Sequence, residues 1–292
     1  MPCRQNSKSC RRIMGIREDA LSLIIIDICV FDRNCFGEEK IEQTALLYEK
    51  QERAIWRNLM IPKKIHYCWF GRGEKPKLAQ KCIASWRKHM PDYEIIEWNE
   101  DNFDVNYNAY TKMCYEEKKY AFLTDYLRLL IVEEHGGIYF DTDVEAVRSF
   151  DVLLSDPAFA GFEDNNHIAT GLGFGAEPHN SVIQQMLKEY EPLLDGQHGV
   201  IGCPILNTDA LLRFGLELNG ELQKLEKIVV YPADYFNPMS STTGVTTITN
   251  QTFSIHRYAM SWLPKHKRIR SRITKKLHRF FGVDCFRFIK KQ

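Results

Sequence analysis

Gly136-Gly137-Ile138-Tyr139-Phe140-Asp141-Thr142-Asp143 is the stretch on which the fold turns. The two glycines end a preceding helix. Three large apolar residues then read as a buried strand, and two aspartates come after them, one residue apart. A strand sends alternate side chains to opposite faces, so Asp141 and Asp143 are expected on the same side. Two carboxylates at the carboxyl end of a strand make an oxygen-rich site for a hard divalent cation. Mg2+ or Mn2+ would keep positions open there for phosphate oxygens. On spacing alone, an isolated Asp-x-Asp is a weak signal, and a solvated acidic turn is the simpler reading.

Upstream, residues 118–134 read as a helix that is apolar on most faces and therefore buried. It carries Asp125 and Arg128, three apart and so on one face. Two charges on a buried helix must pair or meet a polar ligand. One reading is an internal ion pair. The other has Arg128 meeting a phosphate or orienting Asp125, while Asp125 accepts hydrogen bonds from sugar hydroxyls. Further out, residues 64–70 read as a strand ended by Gly71-Arg72-Gly73, residues 77–89 as a helix and residues 93–98 as a second strand. Strands alternating with helices predict an α/β class with a mostly parallel central sheet flanked by helices. Ligands of such sheets bind beyond the carboxyl ends of the strands.

The 292 residues are 44% hydrophobic and 26% charged, an ordinary globular composition that excludes low-complexity classes. The net charge of +1 argues against a nucleic-acid footprint spread over the whole protein. That balance hides an asymmetry: from Pro264 onward there are eleven Lys/Arg and one acid, Asp284. Nine cysteines without a Cys-x-x-Cys pair make a disulfide framework or zinc site a poor reading and favour a reducing cytoplasm. The best apolar run, residues 20–31, contains Asp27 and is too short to span a bilayer. Basic residues precede it as in a signal sequence, but it lacks a small-residue cleavage site. Residues 1–59 differ in character from the rest of the chain and include a polar helical stretch at 38–59. Two readings stand for them: Met60 is the translation start, or the segment is an accessory helical extension.

The run from Ala121 through Asp125, Arg128 and Gly136 to Asp143 resembles glycosyltransferase family 32, the sugar-binding-region family with a DXD motif. That family includes yeast-type initiating α-mannosyltransferases and bacterial capsular polysaccharide glycosyltransferases. Ile61-Pro62-Lys63-Lys64-Ile65-His66-Tyr67-Cys68-Trp69-Phe70-Gly71 looks like its first strand, and Phe253-Ser254-Ile255-His256-Arg257-Tyr258-Ala259-Met260-Ser261-Trp262 like its closing motif. The resemblance spans residues 60–264, the expected catalytic domain, with an extension at 1–59 and a basic tail at 265–292.

The resemblance implies a GT-A-type fold, a UDP- or GDP-hexose donor, Mn2+ or Mg2+ as cofactor, and retention of anomeric configuration. It makes Asp125, Arg128, Asp141 and Asp143 the catalytic set. Trp69 would stack on the base with Phe70 beside it. Asp125 and Arg128 would hold sugar, ribose and phosphate. Asp141 would contact sugar and ion, Asp143 would ligate the ion, and His256 would join them as a metal ligand. Ser261 and Trp262 would close on the diphosphate. Tyr139 faces away from the carboxylates and reads as core. Residues 161–166 and Gly171-Leu172-Gly173 are acceptor-side candidates or merely polar loop. Residues 199–204 resemble the family's acceptor-side Gly-Pro segment, with Cys203 interrupting the pair.

In the tail, Ile269, Ile273, Leu277, Phe280 and Phe281 fall at helical spacing among basic residues. Such a helix can lie on an anionic membrane, or pack its stripe on the body of the enzyme. The sequence thus reads as a hexosyltransferase acting on a glycan or polyprenyl-linked glycan in surface polysaccharide assembly, cytoplasmic or peripheral on the inner membrane face, without nucleic acid. Two alternatives stand beside it. One is a haloacid-dehalogenase-like phosphatase, whose Asp-x-Asp also comes after an apolar strand, but here Glu145 stands in place of Thr or Val. The other is a catalytically inactive sugar-binding relative.

Overall fold

The computed structural model describes residues 60–261, 263–282 and Cys285. The apolar run at 20–31, the expected helix at 38–59 and Trp262 lie outside the described residues. In chain order the elements are β1 (Lys64–Cys68), α1 (Lys77–His89), β2 (Glu94–Trp98), α2 (Ala109–Glu116), α3 (Tyr120–His135), β3 (Gly137–Tyr139), β4 (Val144–Ala146), β5 (Ala158–Asp164), β6 (His167–Ile168), β7 (Phe174–Ala176), α4 (Ser181–Lys188), α5 (Cys203–Leu212), β8 (Gln223–Lys224), β9 (Val229–Tyr231), α6 (Ala233–Phe236), β10 (Ser254–His256) and α7 (Lys265–Phe281).

The central sheet runs β2-β1-β3-β7-β5-β9-β8, with β6 paired to β5. Strands β2, β1, β3, β5 and β9 point one way, while β7 and β8 point the other. The sheet is mostly parallel, as the alternating pattern predicted. Its inner strands β1, β3, β5 and β7 are largely buried on both faces, which is why they read as near-continuous apolar runs. Alternation along them divides the core in two. Ile65, Tyr67, Ile138, Phe140 and Phe159 pack with Cys82, Ile83 and Trp86 of α1. Tyr139, Ala158 and Ala160 pack on the other face with Leu123 and Leu127 of α3, Val182 of α4 and Leu206 of α5.

Several expected boundaries move for local reasons. Helix α3 starts at Tyr120 rather than 118, because Lys118 takes φ 56° in the turn that ends α2. Helix α2 had no counterpart in the sequence reading; a capping box between Asn108 and Thr111 opens it. Gly136 and Gly137, at φ 60° and 100°, turn the chain from α3 into β3. A Cβ on Gly137 would stand 3.0 Å from the Lys64 carbonyl oxygen, so the packing of β3 against β1 requires glycine there.

The expected geometry of the two aspartates is corrected. They are not strand residues whose side chains share a face by alternation. Strand β3 ends at Tyr139, and the Val144 N–H donates to the Asp141 carbonyl at 3.0 Å, closing a tight turn across Asp141–Val144. The chain then leaves the sheet, and β4 pairs antiparallel with β10, setting His256 opposite Val144. The Trp86 indole N–H donates to the Val144 carbonyl at 2.8 Å and pins this turn to α1.

His66 is a fully buried imidazole on β1. Its Nε2 lies 2.9 Å from the Gly136 carbonyl and its Nδ1 accepts from the Trp98 indole at 3.1 Å. That pairing fits the neutral ring with its proton on Nε2. Burial pushes its pKa down to about 4. Between the unfolded value of 6.5 and this folded value, the unfolded chain binds more protons. Stability is therefore expected to fall as pH drops through that window, by about 1.4 kcal/mol per unit at most from this group. Chemical denaturation of wild type and His66→Gln between pH 7 and pH 4.5 checks it: the wild-type curve should be the steeper one.

Candidate active site

Beyond the carboxyl ends of β1 and β3 lies a cavity of about 850 Å³. Every described residue expected to hold the donor or the cation lines it: Trp69, Phe70, Asp125, Arg128, Asp141, Asp143, His256 and Ser261. Trp69 and Phe70 come directly after β1. The Trp69 indole N–H donates to the Gly73 carbonyl at 2.6 Å, which fixes its ring beside the cavity, and Phe70 is buried beneath. Ser261 is exposed at the rim.

Arg128 organises one wall. Its side chain is 2% exposed and its guanidinium meets Asp125 at 2.9 Å and Asp141 at 3.0 Å. Its Nε donates to the Thr124 carbonyl at 3.0 Å, and its plane lies over the Tyr139 ring at 4.9 Å. Burial opposes the charge, but the two carboxylates outweigh it and hold the pKa of Arg128 well above its ordinary value. The ion pair between Asp125 and Arg128 is therefore present, with Asp141 as a second acceptor. Tyr139 is in the core, as expected. Asp125 also accepts from the Cys203 N–H at 3.3 Å, at the first turn of α5. A carboxylate at a helix N-terminus is favoured by the unpaired amides there. Within the 199–204 segment Gly202 and Pro204 open α5, Cys203 supplies the amide, and Val200, Gly202, Cys203 and Pro204 line the cavity.

The turn and the β4–β10 ribbon build the adjoining wall, with Asp141 shared between the two. One ligand atom each from Asp141, Asp143 and His256 lies within 4.8 Å of the others. His256 Nε2 is 3.3 Å from an Asp143 oxygen, and the Ala259 N–H donates to the other oxygen at 2.7 Å. His256 Nδ1 is buried without a hydrogen-bond partner among the described residues. Burial raises Asp141 to about 6, only partly offset by Arg128. Burial also pushes Asp143 up, but His256 and the Ala259 amide prevail and hold it at about 2. In turn Asp143 raises His256 against its burial. Two carboxylates and an imidazole, one nitrogen of it unpaired among the described residues, form a donor set able to hold a divalent cation.

The Tyr258 ring packs on His256 with centroids 4.3 Å apart. Tyr258 and Met260 take φ 48° and 51°, so the segment that closes the site holds two non-glycine residues in the left-handed region. Sequence reasoning did not single out Tyr258 or Ala259. The Ala259 contribution is a backbone amide and leaves no side-chain signal, and the importance of Tyr258 emerges only from the fold of this segment. Glu163, from the expected acceptor-side run, lines the cavity and is raised by burial.

Residues 76–160 match the family model described as "Glycosyltransferase sugar-binding region containing DXD motif". Over these residues the chain is similar to DXD-type glycosyltransferases. The match covers Asp125, Arg128, Asp141 and Asp143 and decides for this class over the phosphatase reading. Over 145 residues, 47% of this chain and 38% of the relative, it is 26% identical to inositol phosphoceramide mannosyltransferase 3 of Schizosaccharomyces pombe. It is 27% identical to subversion of eukaryotic traffic protein A of Legionella pneumophila over 29% of this chain and 17% of that one. The chain thus spans less than half the length of these two curated relatives. Among solved structures, PaToxG glycosyltransferase aligns with a TM-score of 0.44 at 18% identity, covering 57% of this chain and 76% of that one. A glycosyltransferase involved in glycosylation of the major capsid of PBCV-1 aligns at 0.39 and 10%, covering 72% and 98%.

Gly171 gives the DXD region a steric requirement that the sequence did not disclose. A Cβ there would lie 2.4 Å from an Asp141 carboxylate oxygen and 2.9 Å from an Arg128 guanidinium nitrogen. The glycine is needed because the ion pair packs directly on its backbone. Gly171→Ala is expected to destabilise the fold by about 1–3 kcal/mol through overpacking. Gly73→Ala, where an added Cβ meets nothing within 4 Å, serves as the neutral control. Urea denaturation of the two variants checks the contrast.

Proposed function

We propose that this chain transfers a hexose from a UDP- or GDP-sugar to a glycan or lipid-linked glycan, with Mn2+ or Mg2+ at the DXD and with retention of configuration. The observation that carries the reading is the convergence of Asp141, Asp143 and His256 on one cavity wall within a DXD-type region. The mannosyltransferase relative favours a hexose as the transferred group. A place in capsular or other surface polysaccharide assembly belongs to the same proposal. So does a cytoplasmic location, with residues 265–292 reaching an anionic membrane surface.

Breaking a sugar–phosphate bond leaves negative charge on the departing diphosphate and oxocarbenium character on the sugar. A divalent cation bound here supplies the electrostatic stabilisation of that diphosphate. Asp143, held ionised by His256 and the Ala259 amide, would be the principal residue holding it, together with Asp141 and His256. Arg128 is already shared by two carboxylates, so its main task is to hold Asp141 in register and to set a fixed positive charge behind the diphosphate. Preorganised charge of this kind costs no reorganisation during reaction. Asp125 faces the cavity beside Arg128, where it can accept sugar or ribose hydroxyls. Trp69 offers a face for the base. A cavity near 850 Å³ suits a ligand the size of a nucleotide sugar.

The test is a panel of UDP- and GDP-hexoses scored for metal-dependent hydrolysis, together with thermal shift. Mn2+ with the right nucleotide should raise the melting temperature of the wild type. Asp143→Asn keeps an acceptor for the Ala259 amide but removes the charge. It should lose the metal-induced shift and at least about a hundredfold in kcat/KM, the scale of losing one preorganised electrostatic contact. A variant with the same metal response and turnover as wild type would refute the assignment.

A further inference from the structure

Helix α7 contains Lys267, Arg268, Arg270, Arg272, Lys275 and Lys276 and no acidic residue. Its orientation is the reverse of an ordinary surface helix. The polar face turns inward: the Ser271 hydroxyl donates to the Met260 sulfur at 3.7 Å, and Lys275 lies over the Tyr258 ring at 5.3 Å. The apolar stripe turns outward, with Ile269 46%, Ile273 53% and Phe280 80% exposed. Leu277 continues the stripe at the steps of three and four that define one helix face. Lys276 and Arg272 flank it on one side, and Arg270 and Lys267 on the other, all exposed.

A soluble surface would be expected to place these faces the other way round, because exposed apolar stripes flanked by charge mark interaction surfaces. No helix among the described residues is long and apolar enough to cross a membrane, so a spanning role for α7 does not arise. Its composition and the segregation of its faces match a helix lying in the plane of an anionic lipid surface, with apolar side chains among the acyl chains and flanking cations on lipid phosphates. The rear of α7 abuts Tyr258–Met260, which also line the donor cavity. We infer that α7 docks the protein on anionic bilayers through Ile269, Ile273, Leu277 and Phe280, with its inner face fixed to the segment that closes the Asp141–Asp143–His256 cluster. This rests on the membrane contact proposed above and assigns the face that makes it.

Vesicle flotation of the full chain tests it without requiring activity. Vesicles of phosphatidylcholine with phosphatidylglycerol should carry on the order of tenfold more protein than phosphatidylcholine alone, with the difference lost at high salt. Ile273→Asp and Phe280→Asp, both at exposed positions, should each abolish flotation. Both should keep the wild-type melting temperature and the nucleotide-sugar hydrolysis rate in solution. No flotation of the wild type overturns membrane docking altogether. Flotation undiminished in both variants leaves a membrane contact but overturns this face. An RNA oligonucleotide bound as well as the anionic vesicles, with both variants unaffected, would assign the charges to nucleic acid and overturn the proposal.

Discussion

The site depends on one buried cation. Arg128 lies in the interior of α3 with almost no solvent contact, and its charge is balanced by Asp125 from its own helix and Asp141 from the turn after β3. Breaking such a buried pair by removing one partner leaves an uncompensated charge at a cost of about 3–5 kcal/mol. The arrangement therefore fixes more than one contact. Asp125 reaches on to the first turn of α5, Asp141 leads into the cation cluster, and Gly171 leaves the room in which the pair fits. Helix α3, the turn after β3 and the start of α5 are held in register by the requirement that one guanidinium be satisfied.

The second constraint is the β4–β10 ribbon. It lies outside the central sheet and carries Asp143 into contact with His256 and the Ala259 amide. Arg257 and Glu145, 112 residues apart, pair across it at 2.7 Å and reinforce the same junction. The two left-handed residues, Tyr258 and Met260, are tolerated because ribbon pairing on one side and α7 on the other leave the segment little alternative. Local strain of this kind persists where the surroundings over-determine the backbone, which is the situation of a loop that must present an amide to a carboxylate.

Much of this was legible in the sequence. The apolar run before Asp141, the glycine pair before that run and the three-residue spacing of Asp125 and Arg128 each carry a local physical signal, and the structure agrees with each. The convergence of Asp141 and Asp143 was expected for the wrong reason: alternation along a strand was invoked, and a hydrogen-bonded turn brings them together instead. His256 entered only through the resemblance of its segment to a known family, because no local pattern reports that residue 256 pairs opposite residue 144. The amides of Cys203 and Ala259 and the contact of Gly171 were invisible, since backbone donors and close approaches depend on tertiary geometry. In α7 the periodicity disclosed two faces but not which one the body would take.

The division of the cation cluster between a turn in mid-chain and a late strand bears on how the protein is made. A nascent chain leaving the ribosome presents β1, α3 and the Asp141–Asp143 turn long before Ser254–His256 emerges to join them. Pairings between segments so distant are slow to form, because the intervening loop must first be closed. Until that late strand arrives, the early segments hold two carboxylates with no imidazole and no Ala259 amide. The cluster of Asp141, Asp143 and His256 is thus completed only once Ser254–His256 has been made and has paired with β4.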